Sequence, residues 1–115
     1  MLETKMKTNQ LTKGKKRRLM YIENKDGEID GTKARIGWVE FTKSGLGIYY
    51  RGRLLKRSGG QGVRGNYYDE NTREEYWISG LKQDKTDRHW SSSITPVVDD
   101  DAKSVYEEFI ATGRI

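Results

Sequence analysis

His89 is the sole histidine of the chain, and with no cysteine present it is the one side chain whose ordinary pKa lies near neutrality. Proton transfer at neutral pH would use His89 or a carboxylate moved far from its usual range. A small metal-independent hydrolase or nuclease could pair His89 with Glu40 or Glu75 as base and an arginine as phosphate clamp. Nothing in their spacing makes these groups converge, and a histidine beside Trp90 in a structural loop is the simpler reading. Asp26-x-Glu28-x-Asp30-Gly31 has the alternating oxygens and the glycine that open a calcium loop. Its twelfth position is Gly37, where a bidentate glutamate is required, so a polar loop between strands is expected there instead. Asp99-Asp100-Asp101 could meet a hard cation, yet carboxylates that begin a helix already have a reason to be there. No catalytic residue, metal or cofactor is assigned.

The residues best suited to binding are arginines and tyrosines. Tyr49, Arg51 and Arg53, with Arg64 and Tyr68 on an adjoining strand, could make a sheet face that stacks bases and contacts phosphates. The simpler alternative pairs those cations across strands with Glu40, Glu74 and Glu75. Lys15-Lys16-Arg17-Arg18 adds a basic run suited to any anionic surface. Gly59-Gly60-Gln61 resembles the catalytic tripeptide of peptide-chain release factors, but Arg64 stands where that pattern wants asparagine, and the chemistry is not carried over.

The charge has a definite place. The chain of 115 residues carries a formal +5, and residues 1 to 18 hold seven basic side chains against Glu3 alone. The remainder has 15 basic and 16 acidic groups, so the body is nearly neutral and a broad basic field is not expected there. Absence of cysteine removes disulfides, zinc-thiolate sites and cysteine nucleophiles, and suits a reducing compartment. Apolar runs are too short for a signal peptide or a membrane span, so a cytoplasmic location without membrane association is expected.

These residues need a scaffold of strands. Residues 1–17 lack apolar periodicity and read as a disordered basic tail, leaving 18–113 as a single β-rich domain. Leu19 to Glu23 is a plausible first strand. Arg35 to Thr42 alternates, with Val39 and Phe41 on one face and Ile36, Trp38 and Glu40 on the other, and Ser44-Gly45 turns it into a long arm from Leu46 to Leu55. A second hairpin is expected from Val63–Tyr68 and Glu74–Leu81, with a short strand near His89-Trp90. After Pro96, Ala102, Val105, Tyr106, Phe109 and Ile110 recur at helical spacing, which predicts one helix over about 100–112 that ends near Gly113. The fold class expected is mainly β (α+β): a twisted antiparallel sheet or small, partly open barrel of about five to six strands, with one C-terminal helix.

Taken together, Arg35-Ile36-Gly37-Trp38-Val39-Glu40-Phe41, Ile48-Tyr49-Tyr50-Arg51-Gly52-Arg53, Asn66-Tyr67-Tyr68-Asp69 and Glu74-Glu75-Tyr76-Trp77-Ile78-Ser79-Gly80 resemble a family of small uncharacterised bacterial proteins. The resemblance covers roughly Arg18 to Glu107 and implies a compact bacterial domain without a named activity. Some members carry the label of 1-deoxy-xylulose-5-phosphate synthase, which this chain is several-fold too short to support. The reading at this level is a non-catalytic binding module. A protein partner is ranked slightly ahead of a nucleic acid, an enzyme around His89 comes third, and a homo-oligomer is left open.

Overall fold

The run Leu19-Met20-Tyr21-Ile22 does not alternate between apolar and polar residues, because the strand that carries it is buried on both faces. In the computed structural model, which describes residues 16–59, 65–82 and 94–113, this strand is β1 (Arg17–Asn24). It pairs with β2 (Ala34–Phe41) on one side and with β6 (Glu75–Gly80) on the other. Between them β3 (Gly47–Tyr50), β4 (Arg53–Arg57) and β5 (Tyr67–Asp69) follow in chain order, each antiparallel to the one before. The six strands therefore close into an up-and-down barrel, and the β1–β6 ladder removes the free edges an open sheet would leave.

Alternation along each strand sorts side chains to the two faces. Met20, Ile22, Val39, Ile48, Tyr50, Leu55, Tyr76 and Ile78 fill the interior, and Ile29 from the β1–β2 loop plugs one end. On the outer face of β1, β2 and β6, Leu19, Tyr21, Ala34 and Ile36 form a second apolar layer with Trp38 and Trp77. The C-terminal segment covers it. β7 (Val97–Val98), a 3-10 turn at Asp100–Ala102 and helix α1 (Lys103–Thr112) bring Val98, Ala102, Val105 and Tyr106 onto this layer. The helix ends where Gly113 takes the left-handed conformation (φ 79°) and donates its N–H to the Phe109 carbonyl. No helix among the described residues is long and apolar enough to cross a membrane.

Several expectations change in detail. The arm expected from Leu46 to Leu55 is two strands, because Arg51 and Gly52 both have positive φ (47° and 80°), the hand of a two-residue hairpin turn. Lys16 and Arg17 lie in the ladder and not in a tail: the Lys16 carbonyl accepts the Phe41 N–H, and Arg17 sits opposite Glu40. β7 was not expected at all. It runs parallel to β2 at Arg35 and Ile36, on the edge that β3 leaves open because β2 and β3 pair only at Glu40 and Phe41. Residues 1–15, the Val63 end of the second hairpin and the strand expected near His89 lie outside the described residues.

Candidate binding surfaces at the two ends of the barrel

One end of the barrel is formed by the β1–β2 loop, the β3–β4 turn and the β5–β6 loop. Asn24 organises it: its Oδ1 accepts the N–H groups of Asp26 and Gly27, both at 2.8 Å, and its Nδ2 reaches the Glu28 carbonyl and Glu74 Oε1 at 3.2 Å. The loop tip is an Asp30-Gly31 turn with φ of 50° and 94°. Its carboxylate accepts Arg51 Nε at 2.6 Å and Arg53 Nη2 at 2.9 Å, and these two guanidinium groups, Arg53 first, hold Asp30 far below the usual carboxylate range. Arg35 donates to the Ile29 carbonyl at 2.9 Å and the Asp30 carbonyl at 2.7 Å.

Asp99 seals the gap between β2 and the β3–β4 hairpin. Its Oδ2 accepts the Tyr50 hydroxyl at 2.6 Å, and its Oδ1 faces Arg35 Nη1 at 3.0 Å and Arg51 Nη1 at 3.5 Å. A Cβ at Gly37 would collide with Asp99 Oδ2 and come within 2.9 Å of the Tyr50 ring, so only glycine leaves room for the carboxylate. Burial, then the hydrogen bond to Asp99, push the Tyr50 phenol far above its ordinary value. A cleft of about 510 Å3 lies along this seam, lined by Arg35, Trp38, Tyr50, Arg51 and Asp99–Asp101. Its chemistry is that of a fastener. Tyr50 stays protonated, and the arginines that could clamp a phosphate are committed to Asp30 and Asp99. Asp26 Oδ2 accepts the Glu75 N–H at 2.7 Å, so Asp26 and Asp30 serve different partners and do not form a calcium loop.

The opposite end is formed by the start of β1, the β2–β3 turn, the end of β4 and the end of β6. Among the described residues its strand ends and connections carry Lys16, Arg17, Arg18, Lys43, Arg57 and Lys82, all exposed, with Glu40 beside them. Lys16, Arg18, Lys43 and Arg57 make no ion pair with another described residue. The Arg17 guanidinium lies 4.6 Å from the centre of the Trp38 ring. Arg18, on the inward face, reaches to 3.5 Å from where a Cβ on Gly80 would stand, over the mouth of the barrel. A cleft of about 310 Å3 opens there among Arg57, Asn66 and Tyr67. Asn66 is pinned by a two-way bond to β6, donating to the Ile78 carbonyl at 2.7 Å and accepting the Ile78 N–H at 2.9 Å. Gly65 lies so close to the Tyr76 backbone that any side chain would strike it.

The residues expected to share one face do not. Tyr49 and Tyr68 point outward; Arg51 is in the turn; Arg53, paired with Tyr50, turns to the inward face. Asp30 and Asp99 neutralise the two arginines, where cross-strand pairing with Glu40, Glu74 and Glu75 had been expected. Arg64, Lys15 and His89 lie outside the described residues. Asp30, Arg35, Gly37, Tyr50 and Asp99 escaped the sequence reading as a group, and the Arg51-Gly52 dipeptide was the signal that would have placed the turn. Outside the barrel, Leu46 is 63% and Tyr49 44% exposed. Leu46, with Leu54 and Tyr68, belongs to a cleft of about 530 Å3 that opens towards the basic end. No protein-family model, no curated protein and no solved structure matches this chain.

Proposed function

We propose that the protein is a non-catalytic nucleic-acid-binding module that presents the basic end of its barrel to the phosphate backbone. The observation that carries this reading is the segregation of charge. Among the described residues six exposed cations gather at one end, Lys16, Arg17 and Arg18 from the basic N-terminal stretch and Lys43, Arg57 and Lys82 from the nearly neutral remainder, while Arg35, Arg51 and Arg53 are tied to Asp30 and Asp99. Concentrated, exposed cations are what a polyphosphate chain recognises, since each neutralised phosphate releases condensed counterions. The basic residues 1–15 precede Lys16, which enters the barrel at this same end. The order expected from composition, with a protein partner ahead, rested on the neutral sum of the body; its distribution favours the polyanion.

The test is fluorescence anisotropy with a labelled oligonucleotide across a salt series. It compares the full chain with Arg18→Gln/Lys43→Gln/Arg57→Gln, with Lys33→Gln at the mixed end, and with a chain whose tail lysines are changed to glutamine. The triple variant is expected to lose more than tenfold in affinity and to flatten the salt slope by about 2. Lys33→Gln is expected to change neither. Undetectable binding at low salt by the intact chain, or an equal loss in the Lys33 variant, removes the reading; a loss confined to the tail variant moves it off the barrel.

A further inference from the structure

The cleft on the outer face of β3, β4 and β5 adjoins the basic end and has a different chemistry. Its floor is Gly47, which presents no side chain on the outer face, so Leu54, Thr42 and Tyr68 stand around a depression. Leu46 overhangs it from the β2–β3 turn, and its polar lining is hydroxyl or cationic: Thr42 and Ser44, Lys56 and Arg57. Among the described residues no carboxylate lines it, although Lys56 Nζ meets Glu70 Oε2 at 3.1 Å at its margin. Arg57 belongs both to this cleft and to the mouth of the barrel. A strand whose phosphates lie on the basic end would therefore lay its next groups across Leu54 and Tyr68.

We infer that this cleft seats an unstacked base, so that the partner proposed above is single-stranded. The inference rests on the proposed nucleic-acid reading and adds to it. A flat apolar ring needs an aromatic or aliphatic surface with cations alongside for the flanking phosphates, and every base has such a face. A duplex keeps its bases stacked inside and offers only backbone and groove edges, which leaves Leu46, Leu54 and Tyr68 without a role. The cleft volume of about 530 Å3 falls in the range of about 300–1,000 Å3 typical of ligand sites.

The full chain is titrated with a single-stranded oligonucleotide, a duplex of the same length, and a single strand of abasic sites that keeps sugar and phosphate alone. The intact protein is expected to bind the base-bearing strand at least tenfold more tightly than either competitor. Tyr68→Thr is expected to lower that affinity about five- to hundredfold, as loss of one stacked base does, without altering the salt slope. Tyr68→Phe retains the ring and should bind as the wild type does. Leu46→Ala, at an exposed position where folding is not at stake, should erode the preference in the same direction. Equal affinity for the abasic and base-bearing strands overturns the inference and leaves the phosphate reading standing; absence of all binding at low salt removes both. Self-association of the free protein that Leu46→Ala abolishes would assign the cleft to a second copy of the chain and overturn the inference as well.

Discussion

The two ends of the barrel are built from the same residue types and use them in opposite ways. At the mixed end, arginines and aspartates are spent on each other: Asp30 takes Arg51 and Arg53, and Asp99 takes Arg35 and Tyr50, fastening the C-terminal segment to the barrel. At the basic end Lys16, Arg18, Lys43 and Arg57 are exposed and make no ion pair with another described residue, and the backbone beside them is shaped by Gly65, whose N–H donates to Glu75 Oε1 at 2.9 Å, and by Asn66. Arginine content alone therefore says little about binding. What decides is whether a carboxylate is built into reach, and here the positive-φ turn at Arg51 shows how far the chain goes to achieve that. Holding a non-glycine residue in that region costs about 1 kcal/mol, and the guanidinium is thereby aimed at both Asp30 and Asp99.

The contrast is broken most severely at Asp99. Asp99→Ala leaves Arg35, whose side chain is only 13% exposed, without its buried counter-charge and Tyr50 without an acceptor. The expected loss is about 3–5 kcal/mol in urea unfolding, equivalent to a melting temperature lowered by roughly 10 °C or more. Tyr50→Phe is gentler. It removes one hydrogen bond to a carboxylate that keeps its arginine partner, and about 1–3 kcal/mol is expected in the same measurement. Next comes the acid limb. Because Asp30 titrates far lower in the folded chain, its contribution is complete above the ordinary carboxylate pKa of about 4 and is lost as pH falls below it. Wild type and Asp30→Asn should therefore differ in midpoint at pH 7, begin to draw together below about pH 4, and converge only as pH approaches the far lower value of the folded chain. The Tyr50 phenol gives the mirror image: its stabilised neutral form contributes fully below about pH 10 and is lost as pH rises beyond it, so spectrophotometric titration should find one tyrosine silent until the chain unfolds. The smallest effect on stability belongs to the basic end, where Arg57→Gln should shift unfolding by no more than about 0.5 kcal/mol. A larger loss there would mean that this end, too, serves the fold.

Much of the scaffold was legible in the residues themselves. The alternation of Ile36, Trp38 and Glu40 against Val39 and Phe41 marks the two faces of β2, and the spacing of Ala102, Val105 and Tyr106 marks the covering helix with its glycine stop. Features made by distant parts of the chain were not. The closing ladder between β1 and β6 matches Ile22 with Ile78, and no local pattern announces that partnership. β7 is two residues beside a proline, held by a parallel contact that leaves no periodicity. The Arg51-Gly52 turn looks in sequence like the middle of one strand, because arginine is an unusual occupant of a left-handed position, and an uninterrupted strand would put Arg53 on the outer face. The basic end was hidden for a related reason: Lys16, Lys43, Arg57 and Lys82 are scattered in sequence, and only closure of the barrel gathers them.

The double burial of β1 also has a meaning for the order in which the chain is made. This strand is among the first parts of the barrel to be synthesised, yet its second ladder waits for Glu75–Gly80, and its outer residues Leu19 and Tyr21 are covered only when Val98 to Tyr106 arrive. Until then the growing chain shows water an apolar strand with an open edge, the form in which β-proteins pair wrongly or attract chaperones. A chain cut short before Val97 would keep most of its barrel sequence and lose its cover, and proteolytic clearance is the fate its own architecture prescribes.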